Sequence, residues 1–410
     1  MRILIVASFI PFPPDSGARI RTWEIARRMQ RTHEVTFGFH VRGEADQDRA
    51  EAVRRQGFTV VTGHINTGAG AIWTAAREVL SGGVPLFALR RSRELEMRLA
   101  QLHAARPFDV IQIEHFELAG YARLLEASGE TVRAMILHDV LSVAYARMAR
   151  IEANPLWRLW RAWNARQLAK AERKLLGTYD ACITVSSRDS AAIGNCAHPG
   201  ARVQVLPNCV DFTTKVFLPE PDPAPPVLLF VGLFVHPPNA DAARWIVDEI
   251  LPLVRETHPD CSLELVGDDP LRTLASLVGR PGVNLAGRAD ELEPCYRRCD
   301  VAVVPLRAGG GTRLKILEAM AFGRAVVSTT VGAEGLEARH GEHLLLADTP
   351  RDFARAVTEL LDNRALRQRL RKNARALVER RYSWDDCAQA HLTLYADLLA
   401  GKRAPALQHA

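Results

Sequence analysis

The sequence predicts an α/β protein of two parallel, doubly wound domains. Three observations carry this. Short apolar runs alternate with amphipathic stretches along most of the chain. A stretch from Phe217 to Pro226, FLPEPDPAPP, interrupts the alternation, and its five prolines exclude regular structure there. Beyond it the alternation restarts, and Val301 to Glu334 reads as strand, Gly-rich turn, helix, strand.

The elements follow in order. Arg2 to Ala7 is an apolar run of the kind buried in a parallel sheet. Pro11, Pro13, Pro14 and Gly17 stiffen the next loop, and a helix is expected from Arg19 to Arg31. Strands are expected at Glu34 to Phe39, Thr59 to Thr62, Asp109 to Ile113, Thr131 to Leu137, Asp180 to Val185 and Arg202 to Leu206. Ala45 to Gln56 is helical, Gly68 to Ala105 is irregular to helical, and Pro155 to Leu176 is a long helix. After the prolines come strands at Val227 to Val231, Ser262 to Val266, Val283 to Leu285, Val301 to Val304 and Ala325 to Ser328, with a helix from Asn239. Helices from Arg351 to Arg380 and Trp384 to Leu399 close the pattern.

The domain expectation is residues 1–215, a linker at 216–226, residues 227–382, and a closing helix at 383–400 packing back on the first domain. Open parallel sheets bind ligands outside the carboxyl ends of their strands. The Pro11–Gly17 loop, the loop at His138 and the Gly309 loop all follow strands, so they are expected to face a cleft between the domains.

Composition excludes several classes. The chain has 410 residues and a net charge of +6. Such an excess suits anionic ligands, but no basic block interleaved with aromatics points to nucleic acid. No apolar run reaches the roughly 18 residues needed to span a bilayer. Seven cysteines, an odd number, read as free thiols, and Cys295 and Cys299 lack further ligands for a metal. RILIVA is a first strand rather than a signal peptide, so a cytoplasmic location is expected.

In Val301 to Glu334, the glycines Gly309, Gly310 and Gly311 let backbone approach a ligand closely. Thr312 is placed to cap a helix from Arg313 to Phe322. A glycine loop feeding a helix start suits phosphate, and a flexible turn accounts for it equally well. Lys315 and Glu318 share a helix face. Glu318 stands about 9 Å along the axis from Thr312, a distance suited to the ribose of a nucleotide whose diphosphate sits at the helix start.

The chain resembles glycosyltransferase family 4, retaining enzymes of the GT-B fold. The likeness covers nearly the whole chain, in PFPPDSGARIRTWEIARRM, ILHDVLS, VSSRD, VLPNCVD, FVGLFVHPPNADAARW, GGGTRLKILEAMAFGRAVVST, HLLLADTPRDFARAVTELL and YSWDD. It implies two Rossmann-like domains facing a cleft, and transfer of a sugar from a nucleotide sugar without a metal or bound cofactor. By this likeness Glu318 holds the ribose, and Gly232, Gly287, Arg288, Gly309, Gly310, Gly311 and Thr312 surround the nucleotide. His138 is the active-site histidine, with Asp139 beside it to cap or orient. Gly17 and Arg19 belong to a loop against the diphosphate and acceptor, and Arg19 and Arg21 are placed to meet an anionic acceptor. Glu114 and His115, in IEHFE, are lesser candidates that read as loop residues.

Two departures stand out. Gly310 occupies the place of a second glutamate, and Leu233 and Pro238 stand where two phosphate-binding cations are usual. Arg313 and Lys315 are the expected substitutes, able to neutralise a departing diphosphate. Catalysis is therefore assigned to His138, Arg313 and Lys315.

Trp157, Trp160 and Trp163 lie among arginines in PLWRLWRAWNARQLAKAERK. Such a helix can lie on an anionic membrane face, or it can pack its tryptophans on the first domain. The expected partners are a nucleotide sugar and a glycan or polyprenyl-linked acceptor, in envelope or exopolysaccharide synthesis. A nucleotide-sugar epimerase or hydrolase, or a binding subunit without catalysis, are the alternatives.

Overall fold

The computed structural model describes residues 1–403, apart from 66–68, 81–83, 126–128, 153, 195, 198–199, 222–224, 269 and 310–312. The chain divides into two compact units, Met1–Pro207 with Asp385–Ala410, and Asn208–Trp384.

The first unit is built on seven parallel strands: β1 (Arg2–Ala7), β2 (Glu34–Val41), β3 (Thr59–His64), β4 (Val110–Ile113), β5 (Val132–Leu137), β6 (Ala181–Thr184) and β7 (Arg202–Val205). Their order is β3-β2-β1-β4-β5-β6-β7. Ile3, Leu4, Ile5, Val6, Ile111 and Ile113 are fully buried. That is the continuous apolar run expected of strands covered on both faces. In register, Val6 stands beside Ile113, and Ile113 beside Met135. The order reverses between β1 and β4, which makes the carboxyl ends of those strands a topological switch point.

Residues 69–105 resolve into the helices Ala69–Leu80, Pro85–Leu89 and Arg93–Ala105. Ser92 caps the third, accepting from the Leu95 amide. A 3₁₀ segment, Phe116–Leu125, follows β4 and lacked a periodic signature in the sequence. The closing helix, Trp384–Arg403, is tied to the rest of this unit beyond Asp385. Tyr395 donates to Gln112 at 2.8 Å, and Lys402 pairs with Asp180 at 2.9 Å.

The second unit has six parallel strands: β8 (Val227–Val231), β9 (Ser262–Val266), β10 (Val283–Gly287), β11 (Val301–Val304), β12 (Ala325–Ser328) and β13 (Leu345–Leu346). The order is β10-β9-β8-β11-β12-β13, with the switch between β8 and β11. Helix Pro237–Trp245 runs into a π turn at Ile246–Ile250. Pro252, just beyond, has no amide hydrogen to continue regular α pairing. Asn363 ends one helix, Pro350–Asp362, and caps the next, Arg364–Arg381.

Candidate active site

In the second unit the helix after β11 is Leu314–Ala321. It starts later than the sequence suggested. Arg313, in extended conformation, holds the N-cap position, and no side chain caps the first turn. Thr312, the expected cap, lies outside the described residues, as do Gly310 and Gly311. An extended Arg313 turns its side chain back along the loop. A Cβ built on Gly309 would lie 2.6 Å from Arg313 Nη2, and Gly309 has φ of +116°. Glycine is favoured there by its positive φ, whereas the end of the Arg313 side chain can shift to make room for a Cβ.

Lys315 and Glu318 leave this helix in different directions. Lys315 donates to Asn239 Oδ1 at 2.8 Å and stands 4.5 Å from the centre of the Phe230 ring. A Cβ on Gly232 would come within 3.3 Å of its ammonium. Lys315 thus carries its charge to the segment after β8, to the loop at Leu233 and the start of the helix Pro237–Trp245 at Pro238, where cations are usual. Burial, with the nearby Arg313, pushes its pKa down to about 7, and Glu318 opposes the shift. His236 on the same loop is held below its ordinary value by burial, and by Arg313 and Lys315. Arg313 and Lys315 thus make the β8–β11 switch point electropositive, and His236 beside them is kept in its neutral form.

Glu318 forms an ion pair with Lys215 at 3.7 Å. Burial raises its pKa, and Lys215 followed by Lys315 works against that rise. The glycines at the neighbouring strand ends complete this rim. Gly232 donates to the Val266 carbonyl at 2.9 Å, and Gly267 to the Gly287 carbonyl at 2.8 Å. A Cβ on Gly267 would overlap the Gly232 carbonyl oxygen. Backbone is thereby left bare along three adjacent strand ends. Arg288, beside Gly287, is half-exposed and pairs with Asp268 at 3.7 Å.

In the first unit, Glu114 and His138 follow the adjacent strands β4 and β5. His138 Nε2 lies 2.7 Å from Glu114 Oε2. Glu114 also accepts from Thr22 at 3.0 Å and from Gln112. The His115 ring stacks on His138, with centroids 4.6 Å apart and planes within 7°. Phe9 meets the His115 ring edge-on at 4.6 Å. Burial would raise the Glu114 carboxyl. The hydrogen bond with His138 and the proximity of His138, His115 and Arg21 override it, holding the pKa at about 2. Burial holds His115 well below its ordinary value, so its imidazole is neutral.

Glu114 and His115 lie in the loop after β4, as the sequence suggests, but Glu114 is buried there and tied to His138, which its loop position did not announce. Arg21 is a correction to the sequence reading. It is fully buried and donates to the Pro207 carbonyl at 2.9 Å, so it does not face an acceptor. Arg19 is partly buried, pairs with Asp15 at 2.6 Å and lies 5.9 Å from the Phe9 ring. Gly17 opens the helix Gly17–Met29. Val140, not Asp139, holds the N-cap position of the helix Leu141–Ile151. Sequence reasoning also missed Lys215 and Asn239, whose roles rest on contacts across more than 70 positions of chain. Among the described residues, no group of three His, Cys, Asp or Glu side chains is placed to hold a metal ion.

Residues 225–363 match the family model described as Glycosyl transferases group 1. A phosphatidyl-myo-inositol mannosyltransferase of Mycobacterium tuberculosis is 30% identical over 218 residues, 50% of this chain and 56% of that protein. A D-inositol 3-phosphate glycosyltransferase of Acidothermus cellulolyticus is 36% identical over 200 residues, 44% of this chain and 43% of that protein. The chain spans about half the length of the curated relatives it matches. Among solved structures, Anabaena HepE in complex with UDP and glucose superposes with a TM-score of 0.70, at 14% identity, over 97% of this chain and all of that one. The second unit thus carries a glycosyl transferases group 1 segment, in a chain whose fold is that of the GT-B glycosyltransferases.

Proposed function

We propose that this chain is a retaining glycosyltransferase. It moves a hexose from a nucleotide-diphospho-sugar to a glycan or lipid-linked acceptor, in envelope or exopolysaccharide synthesis. The observation that carries the reading is the cluster of Arg313, Lys315 and His236 at the β8–β11 switch point, with Glu318 one helical turn beyond Lys315. The matched family segment and the names of the relatives support it.

The chemistry follows from the placement. A nucleoside diphosphate gains charge as the glycosidic bond to it breaks. Arg313, and Lys315 once protonated, supply positive charge for those oxygens, doing what a divalent ion does elsewhere. A single such donor is worth about 3–4 kcal/mol of barrier. The bare backbone at Gly232, Gly267 and Gly287 lets the nucleotide lie close, and Glu318 accepts from the ribose hydroxyls. On the first unit, His138 hydrogen-bonds a sugar hydroxyl or takes its proton, and Glu114 balances the charge so formed.

Gly310 in place of a carboxylate favours a second reading, a nucleotide-sugar-binding subunit without turnover. One experiment addresses both. Thermal shift with UDP, GDP, ADP and their sugars is followed by product analysis, with and without EDTA, using glycan and lipid-linked acceptors. A melt shift with at least one nucleotide and EDTA-resistant transfer are expected. A melt unmoved by every nucleotide would overturn the assignment, and binding without product would leave only the second reading.

A further inference from the structure

The helix Pro155–Leu175 begins with its apolar residues turned outward. Leu156 is 77% exposed, Trp157 55%, Leu159 68% and Trp160 43%. Large apolar side chains gathered in one turn and left bare mark an interaction surface. Leu156, Leu159, Trp160 and Trp163 are spaced i, i+3, i+4, i+7 and share one face of the helix. Ala165, Leu168 and Glu172, which are buried, line a different face and anchor the second half of the helix. Glu172 is held there, accepting from the Ser142 amide at 3.0 Å. At the tryptophan end Trp160 has the Tyr145 ring 6.2 Å to one side and leaves 43% of its surface bare, while Leu156, Trp157 and Leu159 project further outward.

Charge is gathered in the same place. Residues 141–175 contain eight Arg and Lys against two Glu, a net +6 that equals the net charge of the whole 410-residue chain. The rest of the protein is neutral on balance. Both acids are engaged: Glu152 pairs with Arg161 at 2.8 Å, and Glu172 is buried. Arg150, Arg158, Arg166, Lys170, Arg173 and Lys174 are exposed. Among the described residues, no helix is long and apolar enough to cross a membrane. Exposed Trp and Leu beside exposed positive charge match the boundary of an anionic bilayer, where rings sit at headgroup depth and cations meet phosphates. A protein partner would need only the apolar part of this surface, and the concentrated charge favours lipid.

We propose that this helix docks the protein on an anionic phospholipid surface. Leu156, Leu159 and Trp160 enter the boundary between headgroups and acyl chains, and Arg166, Lys170 and Lys174, exposed on the same side of the helix, face the headgroup phosphates. The proposal stands independently of the glycosyltransferase reading.

The test is co-sedimentation of the full chain with vesicles of phosphatidylcholine alone, and of phosphatidylcholine with phosphatidylglycerol. Wild type is expected to pellet with the anionic vesicles only, and less so as salt rises. The combined variant Leu156→Ser, Leu159→Ser, Trp160→Ala is expected to lower partitioning at least about tenfold, and Lys170→Glu to lower it further. Because these residues are exposed, the melting temperature and any nucleotide-induced shift should stay at wild-type values. Failure of those controls would point to the fold or the nucleotide site instead of the membrane surface. Equal pelleting of wild type and variant, or none with anionic vesicles, overturns the proposal. So does a wild-type dimer in light scattering that the same variant dissolves, since the face would then be occupied by a second copy.

Discussion

Glu114, 1% exposed, and His138, 2.7 Å from it, form an acid–imidazole pair at adjacent strand ends of the first unit. Their strands are neighbours in the sheet, so the residues just past the strand ends come within hydrogen-bond reach. Glu114→Gln keeps the shape and removes the charge. It is expected to lower turnover about 10–100-fold with little change in nucleotide affinity. A steady-state kcat/KM measured beside nucleotide thermal shift separates the two effects.

The same carboxyl links stability to pH. Its folded pKa, about 2, lies below the ordinary carboxylate range. Stability from this group is therefore fully present above the unfolded value and is lost as pH falls through the folded one. The expected contribution is about 3 kcal/mol at neutral pH. Denaturant unfolding of wild type and Glu114→Gln should show a gap that closes as pH falls from about 5 toward about 2. A gap independent of pH would show that the ionised form has no part in it.

Lys315 gives a pH slope of the same sign, but in it the ionised form is the one the fold disfavours. Burial and Arg313 place its folded pKa at about 7, below its unfolded value. Between these values the unfolded chain binds the extra proton, so stability rises with pH across that window. Lys315→Met is expected to stabilise the ligand-free protein by about 1–2 kcal/mol at neutral pH. It should also weaken nucleoside diphosphate binding and cut turnover about 10²-fold or more. Wild-type binding should take up protons near neutral pH, seen as a buffer-dependent heat in calorimetry. The absence of uptake would remove Lys315 from the diphosphate site.

Glu318 is tested through the ribose. Glu318→Ala should weaken binding of a nucleoside diphosphate about 10-fold or more. A 2′,3′-dideoxy nucleotide should bind wild type correspondingly less well and bind the variant no worse than its ribose parent. Equal losses in both proteins would place Glu318 elsewhere. Lys215→Met, by removing the ion pair at 3.7 Å, should weaken the ribose nucleotide more as pH falls, since the Glu318 pKa is already raised by burial.

Two glycines of the rim should differ sharply. A Cβ on Gly267 would overlap the Gly232 carbonyl, whereas one on Gly287 would meet nothing within 4 Å and would bear only the strain of φ +73°. Gly287→Ala is expected to cost about 1 kcal/mol in chemical denaturation, and Gly267→Ala more than about 3 kcal/mol. Comparable costs would contradict the close approach of these strand ends.

Much of the fold was open to reading in the chain itself. Strands such as Val227–Val231, Ser262–Val266 and Val301–Val304 are short apolar runs between breakers, and their ends fall where local chemistry puts them. The 3₁₀ segment after β4 escaped because it has no period of its own. The GGGTRLKILEAMA stretch likewise announced its strand–loop–helix form, since glycine, charge and helix propensity act over neighbouring residues.

What the sequence determined by itself were the elements, their alternation and the kinds of side chain at the strand ends. Tertiary structure decided which of those side chains meet. Nothing local says that Glu318 faces Lys215, that Lys315 reaches Asn239 across 76 positions, or that Arg21 is buried while Trp157 and Trp160 are not. Hydrogen bonds and burial act over a few ångströms in space, whatever the distance along the chain. Partners separated by tens of residues are chosen by strand order and helix direction, and those exist only once the sheet has formed.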